Sequence, residues 1–344
     1  MPGEEKLSHR EAIERASSSL YRFPLLPVRG IPLMNYIANS WDTIWAFRPD
    51  PSDILIATYP KSVRGIPLIN HIANSWDTIW AFRPDPSDIL IVTYPKSGTT
   101  WTQEIVDLLL HNGDADACKR APTSERSPFL ELVAPPPILS GIDRMKNMDP
   151  PRIIKTHLPF QLVPPAFWEN KCKTIYVARN AKDNMVSYYH FDCMSKTQPE
   201  PGPWEGYISK FMRGELAWGS WYDHVKGYWK EREKRNILYL FYEDMKENPR
   251  CEVERIMNYL DLSLSDEVIS RIVELTSFEI MKENPMANYS CIPTHVFDNS
   301  ISPFMRKGQV GDWRNHFTPE QSKMFAEDYD KKMKDVNIPF RTLI

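Results

Sequence analysis

The sequence has few of the features that mark nucleic-acid binding, secretion or membrane insertion. Its formal net charge is −3 and its pI is about 6.3, which argues against bulk binding to nucleic acid. No apolar run approaches the ~20 residues that span a bilayer. The first 20 residues are charged and lack the apolar core of a signal peptide. We therefore expect a cytoplasmic protein without a nucleic-acid or membrane partner.

Cysteine is scarce, and its spacing does not fit a structural zinc site. The five cysteines include no CxxC pair, and their odd number is typical of reduced thiols in a cytoplasmic protein. The chain also lacks the GxxxxGK[ST] motif of P-loop nucleotide hydrolases. No cluster of aspartates is positioned to hold Mg²⁺, so we expect no metal.

Short apolar runs alternate with helical patterns along the chain. Buried strands are predicted at Ile89–Thr93, 152–156, Lys173–Ala178 and Ile237–Phe241. This alternation predicts an α/β fold, a single domain with a central parallel β-sheet flanked by helices. Helices are predicted at 10–19, from 99 onward, and at 183–191, 204–233, 249–260, 266–275 and 318–332. The Pro-rich stretch 121–151 and residues 282–312 are predicted to be irregular.

One segment occurs twice in tandem. Residues 28–62 repeat as residues 63–97, and only three positions differ. Two copies are too few for a solenoid, so we interpret the repeat as a tandem duplication. We therefore divide the chain into two parts. Residues 1–62 comprise an N-terminal tail and the extra copy, and residues 63–344 form the functional domain.

The two copies end differently. The first TYPKS runs into Val63, whereas the second runs into Gly98 and a helical pattern. We therefore assign the site to Lys96 and treat Lys61 as a nonfunctional duplicate. If the first copy's strand, 54–58, took the central position in the sheet, this loop would be lost.

The second copy predicts a P-loop-like strand–loop–helix that binds an anion. Gly98 allows the backbone to approach a ligand, and the first N–H groups of the helix have no internal partner. Lys96 adds a cation, and Thr99 and Thr100 add hydroxyl groups. The alternative is an ordinary β-turn-α connection that happens to contain a lysine.

Three later segments carry further candidate chemistry. His157 follows a strand, where ligands bind in parallel sheets, and Lys155 lies two residues earlier. Arg179 also ends a strand, and with Ser187 on the next helix it can bind one phosphate; the alternative is a pair between Arg179 and Asp183. The loop 306–313 is basic and Gly-rich; alone, such a loop is most often solvated.

These four segments occur in an order that resembles a known enzyme family. TYPKSGTTW, KTHLP, RNAKDNMVSYYHF and RKGQVGDW bracket nearly all of 63–317. They resemble the cytosolic family 1 sulfotransferases of the phenol and estrogen type, which use 3′-phosphoadenosine 5′-phosphosulfate (PAPS). The resemblance implies transfer of a sulfuryl group to a small phenolic or steroid-like hydroxyl. It identifies a phosphosulfate-binding loop, with the catalytic residues His157 as general base, Lys96 and Lys155.

The resemblance also implies two sets of binding residues. PAPS as co-substrate is expected to contact Lys96, Ser97, Gly98, Thr99, Thr100, Trp101, Arg179, Ser187, Tyr242, Thr276, Phe278, Phe304, Met305, Arg306, Lys307 and Gly308. The acceptor is expected to contact Phe129, Lys155, His157, Phe191, Trp218 and Tyr289, with Ile72, Ser124, Leu132, Val296 and Phe297 around them.

One segment departs from the family pattern. Many members form dimers through a KxxxTVxxxE segment, but here Arg314, Pro319 and Lys323 replace its Lys, Val and Glu. The reversed charge and the missing backbone donor argue against the usual homodimer. Two other functions stay open: a nucleotide kinase using ATP and Mg²⁺, and a PAPS- or PAP-binding protein whose catalysis the duplication has impaired.

Overall fold

The two copies of the repeated segment begin with the same backbone hairpin. The computed structural model describes residues 10–11, 13–14, 25–28, 31–34, 62–63, 66–67, 75–133 and 137–344. Its first strands pair antiparallel, β1 (Leu25–Val28) with β2 (Ile31–Met34) and β3 (Ser62–Val63) with β4 (Ile66–Pro67). Val28 pairs with Ile31, and 35 positions later Val63 pairs with Ile66. Equivalent residues of the copies therefore share one register.

The second copy supplies the strand at the centre of the main sheet. Four parallel strands form this sheet in the order β6-β5-β7-β8: β5 (Ile89–Thr93), β6 (Ile153–Thr156), β7 (Lys173–Ala178) and β8 (Ile237–Phe241). All five residues of β5 are buried, which suits a strand covered on both faces. The four predicted strands are confirmed to within one residue. The predicted strand 54–58 and Lys61 lie outside the described residues.

Helices cover both faces of the sheet. They are α1 (Trp76–Trp80), α2 (Thr99–Leu110), α3 (Thr123–Arg126), α4 (Gly141–Lys146), α5 (Ala166–Glu169), α6 (Ala181–Met194), α7 (Trp204–Arg213), α8 (Trp221–Glu231), α9 (Tyr242–Glu247), α10 (Pro249–Tyr259), α11 (Asp266–Leu275), α12 (Phe278–Glu283) and α13 (Pro319–Met333). None of the described helices is both long enough and apolar enough to span a bilayer.

The two faces of β5 contribute to two different hydrophobic layers. Leu90 and Val92 pack in the layer with helices α6, α7, α8 and α13. Ile89 and Ile91 pack in the layer with α2, α10 and α11. Successive side chains on a strand point to opposite faces, so one short apolar run holds both layers. This arrangement confirms a single α/β domain with a central parallel sheet.

One prediction of local structure was wrong. The Pro-rich stretch 121–151 is not wholly irregular, because it contains α3 and α4. Ser140 caps α4 by accepting a hydrogen bond from the Asp143 backbone at 3.0 Å. The segment 204–233 is mainly helical, as predicted, and it consists of two helices. Gly214, with φ of +73°, ends α7, and the Ser220 hydroxyl then caps α8.

Two other predicted helices differ less from the structure. The helix predicted at 183–191 begins earlier, at Ala181, because Asn180 accepts a hydrogen bond from the Asp183 backbone and serves as the N-cap. Near the N-terminus, Arg10, Glu11, Ile13 and Glu14 are helical. The remainder of the 10–19 prediction lies outside the described residues.

Candidate active site

The loop after β5 is held in an unusual backbone conformation. Lys96 has φ of +69°, and Gly98, the N-cap of α2, has φ of +103°. A Cβ atom at Gly98 would lie 3.0 Å from Cδ2 of Tyr242, so glycine fits this position best. The Asn184 amide donates to the Ser97 hydroxyl at 2.9 Å and to the Pro95 carbonyl at 2.8 Å. The loop is thus fixed by α6 at the N-terminus of α2.

Lys96 is half-buried among other cations. Its Nζ atom lies 3.4 Å from the Phe304 carbonyl oxygen and 4.0 Å from the centre of the Phe304 ring. Desolvation, together with the charges of Lys155, Arg179 and Arg306, lowers the pKa of Lys96 to about 7. This concentration of positive charge is suited to an anionic ligand.

Arg179 bridges two loops: the loop after β5 (residues 94–98), which we call the phosphate loop, and the basic loop that follows Met305 (residues 306–311). Its guanidinium donates to the Lys96 carbonyl at 3.2 Å and to the Gln309 carbonyl at 3.1 Å, and it stacks 4.3 Å from the Tyr242 ring centre. Its Nε is buried without a hydrogen-bond partner. The alternative pairing with Asp183 is wrong, because that carboxylate accepts backbone N–H bonds from the basic loop instead.

The basic loop, residues 306–311, is fixed on α6 and on α12. Asp183 accepts the Gly311 N–H at 2.7 Å and the Trp313 N–H at 2.9 Å. Gly308 has φ of +61°, and a Cβ atom there would lie 2.2 Å from Cδ2 of Phe278. Only glycine fits this position without moving the ring.

The two cations of this loop share one carboxylate. Arg306 and Lys307 each donate to Asp312 at 2.6 Å. These bonds hold the pKa of Asp312 well below its usual range, although burial acts in the opposite direction. The loop is therefore ordered, and the alternative of a merely solvated loop is not what the structure shows.

Of the other residues predicted to contact PAPS, Tyr242 packs on Gly98 and Phe278 packs on Gly308. Trp101 and Tyr242 form an edge-to-face ring pair at 5.6 Å. The Thr276 hydroxyl is buried at the end of α11, where it donates to the Ile272 carbonyl at 2.8 Å. Ser187 is half-buried in the second turn of α6.

His157 is held in one tautomer. Its Nδ1 lies 2.8 Å from the Thr93 carbonyl oxygen, which can only accept, so Nδ1 carries the proton and Nε2 is the basic nitrogen. Burial lowers the pKa of His157 well below its ordinary value, and the charge of Lys155 contributes. The ring is therefore neutral at neutral pH, as a general base requires.

A pair of threonines links the histidine to the phosphate loop. The Thr93 hydroxyl lies 3.1 Å from His157 Nδ1 and 2.7 Å from the hydroxyl of Thr99, in the first turn of α2. Thr93 was missed as a site residue, because its position at the end of an apolar strand gives no sign of this contact.

Glu131 is a second residue that the sequence interpretation missed. It is fully buried, and its two oxygens accept the His157 N–H at 2.7 Å, the Trp218 indole N–H at 3.1 Å and the Thr156 hydroxyl at 2.8 Å. Burial raises its pKa to about 7. The signal that could have found it is an acid within the apolar run Phe129-Leu130-Glu131. This carboxyl group positions the segment that carries His157.

The residues predicted to contact the acceptor fall into two aromatic groups, one beside Lys155 and one beside Lys96. Phe129 and Trp218 stack at 6.2 Å, and both contact the His157 ring, at 5.1 and 5.4 Å. Lys155 Nζ lies 4.4 Å from the Phe129 ring centre, and burial lowers its pKa to about 8. The second group comprises Phe191, Tyr289, Phe297 and Phe304.

A small apolar cluster lies behind the second aromatic group. Ile13, from the N-terminal helical turn, is buried against Ile292 and Val296, next to Tyr289 and Phe297. The N-terminal turn thus packs beside the acceptor residues despite the long insertion that follows it. Ser124 and Leu132 are half-buried in the segment that precedes α4, and Ile72 lies outside the described residues.

Among the described residues, one set of side chains has the spacing of metal ligands. Atoms of Asp107, His111 and Cys118 lie within 4.8 Å of one another. However, the Asp107 carboxylate accepts two hydrogen bonds from Arg120, at 2.8 and 3.0 Å, and another from Arg126. Two guanidinium groups oppose a further cation there. The set also lies outside the site described above.

The parallel sheet, the phosphate loop and the basic loop together define a class of group-transfer enzyme. Enzymes of this class bind a phosphorylated nucleotide at the carboxyl end of a parallel sheet. The model of the family described as the sulfotransferase domain matches residues 86–337, and the chain belongs to this family. It is similar to Sulfotransferase 1 family member D1 of Mus musculus, with 54% identity over 325 residues, 94% of this chain and 98% of the relative. Sulfotransferase 1B1 of Canis lupus familiaris is 51% identical over 317 residues, 92% and 95% of the two chains.

Solved structures support the same assignment. The chain resembles retinol dehydratase in complex with androsterone and the inactive cofactor PAP, with a TM-score of 0.72 and 26% identity over 79% of this chain and 88% of that one. It also resembles mouse sulfotransferase SULT7A1 complexed with PAP, with a TM-score of 0.65 and 28% identity. This match covers 82% of this chain and 96% of that one. The predicted family 1 sulfotransferase is confirmed. The chain is a PAPS-dependent sulfotransferase that acts on small acceptors.

Proposed function

We propose that this enzyme sulfates the hydroxyl group of a small phenolic or steroid-like acceptor, with His157 as the general base. The observation that carries the proposal is the hydrogen bond from His157 Nδ1 to the Thr93 carbonyl. It leaves Nε2 as a neutral base beside the stacked rings of Phe129 and Trp218. A base in this state can remove the acceptor proton at neutral pH.

The residues around the two loops fit the anionic groups of PAPS. Arg179 has a buried Nε without a partner, and Gly98 and Gly308 hold the two loops close against Tyr242 and Phe278, where a side chain has no room. When bound, PAPS supplies the sulfuryl group and a nucleotide leaving group. We assign its binding to Lys96, Ser97, Gly98, Thr99, Thr100, Trp101, Arg179, Ser187, Tyr242, Thr276, Phe278, Phe304, Met305, Arg306, Lys307 and Gly308.

Lys96 and Lys155 supply positive charge on the two sides of the reacting groups. Both lysines are half-buried and desolvation lowers the pKa of each, so their charges are only partly screened by solvent. Preorganised cations of this kind stabilise negative charge that develops during transfer. These two lysines are sufficient for that role, and we propose that no metal takes part.

The acceptor binds between aromatic walls. Phe129 and Trp218 form one wall, and Phe191 and Tyr289 belong to the other. Flat apolar rings suit these walls because aromatic pairs gain from offset or edge contacts beyond the area that they bury. This supports a phenolic or steroid-like acceptor.

Several broader assignments accompany this proposal. Membership of family 1 supports a cytoplasmic enzyme without a nucleic-acid or membrane partner. The altered residues Arg314, Pro319 and Lys323 argue against the usual homodimer of the family. We retain the division into a tail with an extra copy at 1–62 and a sulfotransferase domain at 63–344.

The test is transfer of radiolabelled sulfate from PAPS to a panel of phenols and steroids without added metal. Wild type is compared with His157→Ala, Lys96→Ala and Lys61→Ala. We expect His157→Ala to lower kcat by about 10³-fold while it still binds PAP, since loss of general-base catalysis costs 10²–10⁴. Lys96→Ala is expected to lose both turnover and nucleotide affinity, and Lys61→Ala is expected to match wild type.

Two outcomes would contradict this assignment. Near-normal turnover by His157→Ala would remove its role as the base. A wild-type protein that binds PAP but transfers no sulfate would favour the binding-only alternative. Activity with PAPS in the absence of Mg²⁺ would exclude the kinase alternative.

A further inference from the structure

The C-terminal tail lies against two elements of the proposed nucleotide site. Trp313, which follows the basic loop, donates its indole N–H to the Thr342 carbonyl at 3.1 Å. A Cβ atom at Gly311 would lie 3.0 Å from Cδ2 of Leu343 and 3.7 Å from the Thr342 carbonyl oxygen, so the tail packs closely on the loop backbone. One of these contacts is on the basic loop and the other is on Trp313, two residues beyond it. The loop is also held by Asp183 on α6 and by Phe278 on α12.

The same tail is bonded to α9. Arg341 donates to Glu247 at 2.7 Å and also to Asp244. Helix α9 begins at Tyr242, whose ring contacts Arg179 and Trp101. Residues 341–343 therefore connect the basic loop to α9. The contact between Arg341 and Asp244 joins residues that are 97 positions apart in the sequence.

We infer that residues 341–343 form a clasp that positions the nucleotide-binding loop 306–311, with Arg341 as its positioning residue. The clasp touches neither His157 nor the aromatic residues assigned to the acceptor. We therefore expect the clasp to affect nucleotide binding and to leave acceptor binding unchanged. Phe340, which precedes it, packs on Trp221 and Phe241 in the core, so the chain is already anchored when it reaches Arg341.

Loss of the clasp should weaken nucleotide binding without changing acceptor binding. In Arg341→Ala the two carboxylates of α9 lose their cation, and the tail keeps only the contacts of Thr342 and Leu343. A chain that stops after Phe340 loses all of them. We expect the Kd for PAP to rise about threefold in Arg341→Ala and about tenfold in the truncated chain, the latter equal to ~1.4 kcal/mol.

The experiment measures PAP binding by calorimetry and PAP dissociation by stopped-flow fluorescence, both without turnover. Arg341→Lys keeps the charge but loses the fork that reaches both carboxylates, so it should recover only part of the affinity lost in Arg341→Ala. Arg250→Ala is the matched control. Arg250 also bonds two carboxylates, Glu254 at 2.8 Å and Asp266 at 2.7 Å, but on α10 and α11 away from the site.

The KM for a small phenol separates a clasp from a general loss of structure. The clasp requires PAP binding to weaken while this KM stays constant. PAP binding within twofold of wild type in both Arg341→Ala and the truncated chain would overturn it. A rise in the phenol KM by the same factor as the PAP Kd would also overturn it. If the truncated chain does not fold, the two point variants decide.

The inference depends on the proposed nucleotide site, but the two can fail separately. If wild type does not bind PAP, the nucleotide assignment itself fails. If wild type binds PAP and the tail variants bind it equally well, only the clasp fails.

Discussion

The proposed site has two halves that are held together by different interactions. The nucleotide half comprises the phosphate loop and the basic loop, and the acceptor half comprises the two aromatic groups. The nucleotide half is held by directed polar bonds, such as those of Asp183 to the basic loop and of Asn184 to the phosphate loop. The acceptor half is held mainly by ring contacts, such as those between Phe191, Phe297 and Phe304. Directed bonds fix one geometry, whereas ring contacts tolerate several. This difference suits one invariant donor and a range of acceptors.

The largest expected effect comes from breaking the nucleotide half at Gly308. In Gly308→Ala the new Cβ meets Phe278 at 2.2 Å, and φ of +61° strains any residue other than glycine. We expect the Kd for PAP to rise about 100-fold, or ~2.7 kcal/mol, with the phenol KM unchanged. Calorimetric titration with PAP measures it.

Gly206→Ala is the matched control for this substitution. Gly206 lies in α7, where a Cβ atom would meet nothing closer than 3.9 Å, and the change should leave PAP binding intact. Wild-type affinity in Gly308→Ala would mean that the basic loop can move without cost. The contrast between the two halves would then be lost.

A smaller effect is expected at Glu131, where the two halves meet. In Glu131→Gln one carboxylate oxygen becomes an NH₂ group, so the His157 N–H and Trp218 N–H, or the Thr156 hydroxyl, lose an acceptor. We expect kcat to fall about tenfold, since a buried donor without a partner costs ~1–3 kcal/mol. The Kd for PAP should stay constant. Steady-state kinetics with a fixed phenol measures this effect.

Glu169→Gln provides the comparison for Glu131, because it changes an exposed glutamate that is paired only with Arg83. It should be indistinguishable from wild type. If Glu131→Gln instead weakens PAP binding and leaves kcat intact, Glu131 belongs to the nucleotide half.

The smallest effect is a pH dependence of nucleotide binding. The pKa of Lys96 is lowered to about 7 in the free protein, and an anion nearby should raise it. Binding then takes up a proton, so affinity is highest below pH 7 and falls as pH rises. We expect the Kd for PAP to increase about fivefold between pH 7 and pH 8.

Calorimetry in buffers of different ionisation enthalpy would measure this proton uptake directly. Lys96→Arg stays charged across this range and should show a flatter profile. An unchanged slope in Lys96→Arg would assign the titration to another group, and Lys155, with a pKa of about 8, is the first candidate.

The sequence predicted the parts of the site that depend on local patterns. The strand–loop–helix around Lys96 is contiguous, and His157 and Arg179 follow strands that are apolar enough to recognise. The family resemblance then connected these segments. Local patterns also misled, because proline-rich composition hid α3 and α4, each of which is a short helix.

The parts that were not predicted depend on contacts between distant segments. Glu131 reaches the His157 backbone across 26 positions, and Thr93 reaches His157 across 64. Both residues lie in apolar runs whose periodicity indicates burial but does not identify a partner. Such partners are determined by how β5, β6 and the segment before α4 pack together in three dimensions.

The hydrogen bond between the hydroxyls of Thr93 and Thr99 connects His157 with the helix that follows the phosphate loop. We therefore expect acceptor binding and nucleotide binding to be coupled. Binding free energies between coupled sites are reciprocal. Any factor by which a nucleotide on the loop changes acceptor affinity must equal the factor by which the acceptor changes nucleotide affinity. The complex of acceptor with spent nucleotide has a reciprocal factor of its own. Where that factor favours joint binding through these two hydroxyls, excess acceptor holds the spent nucleotide on the enzyme and slows turnover.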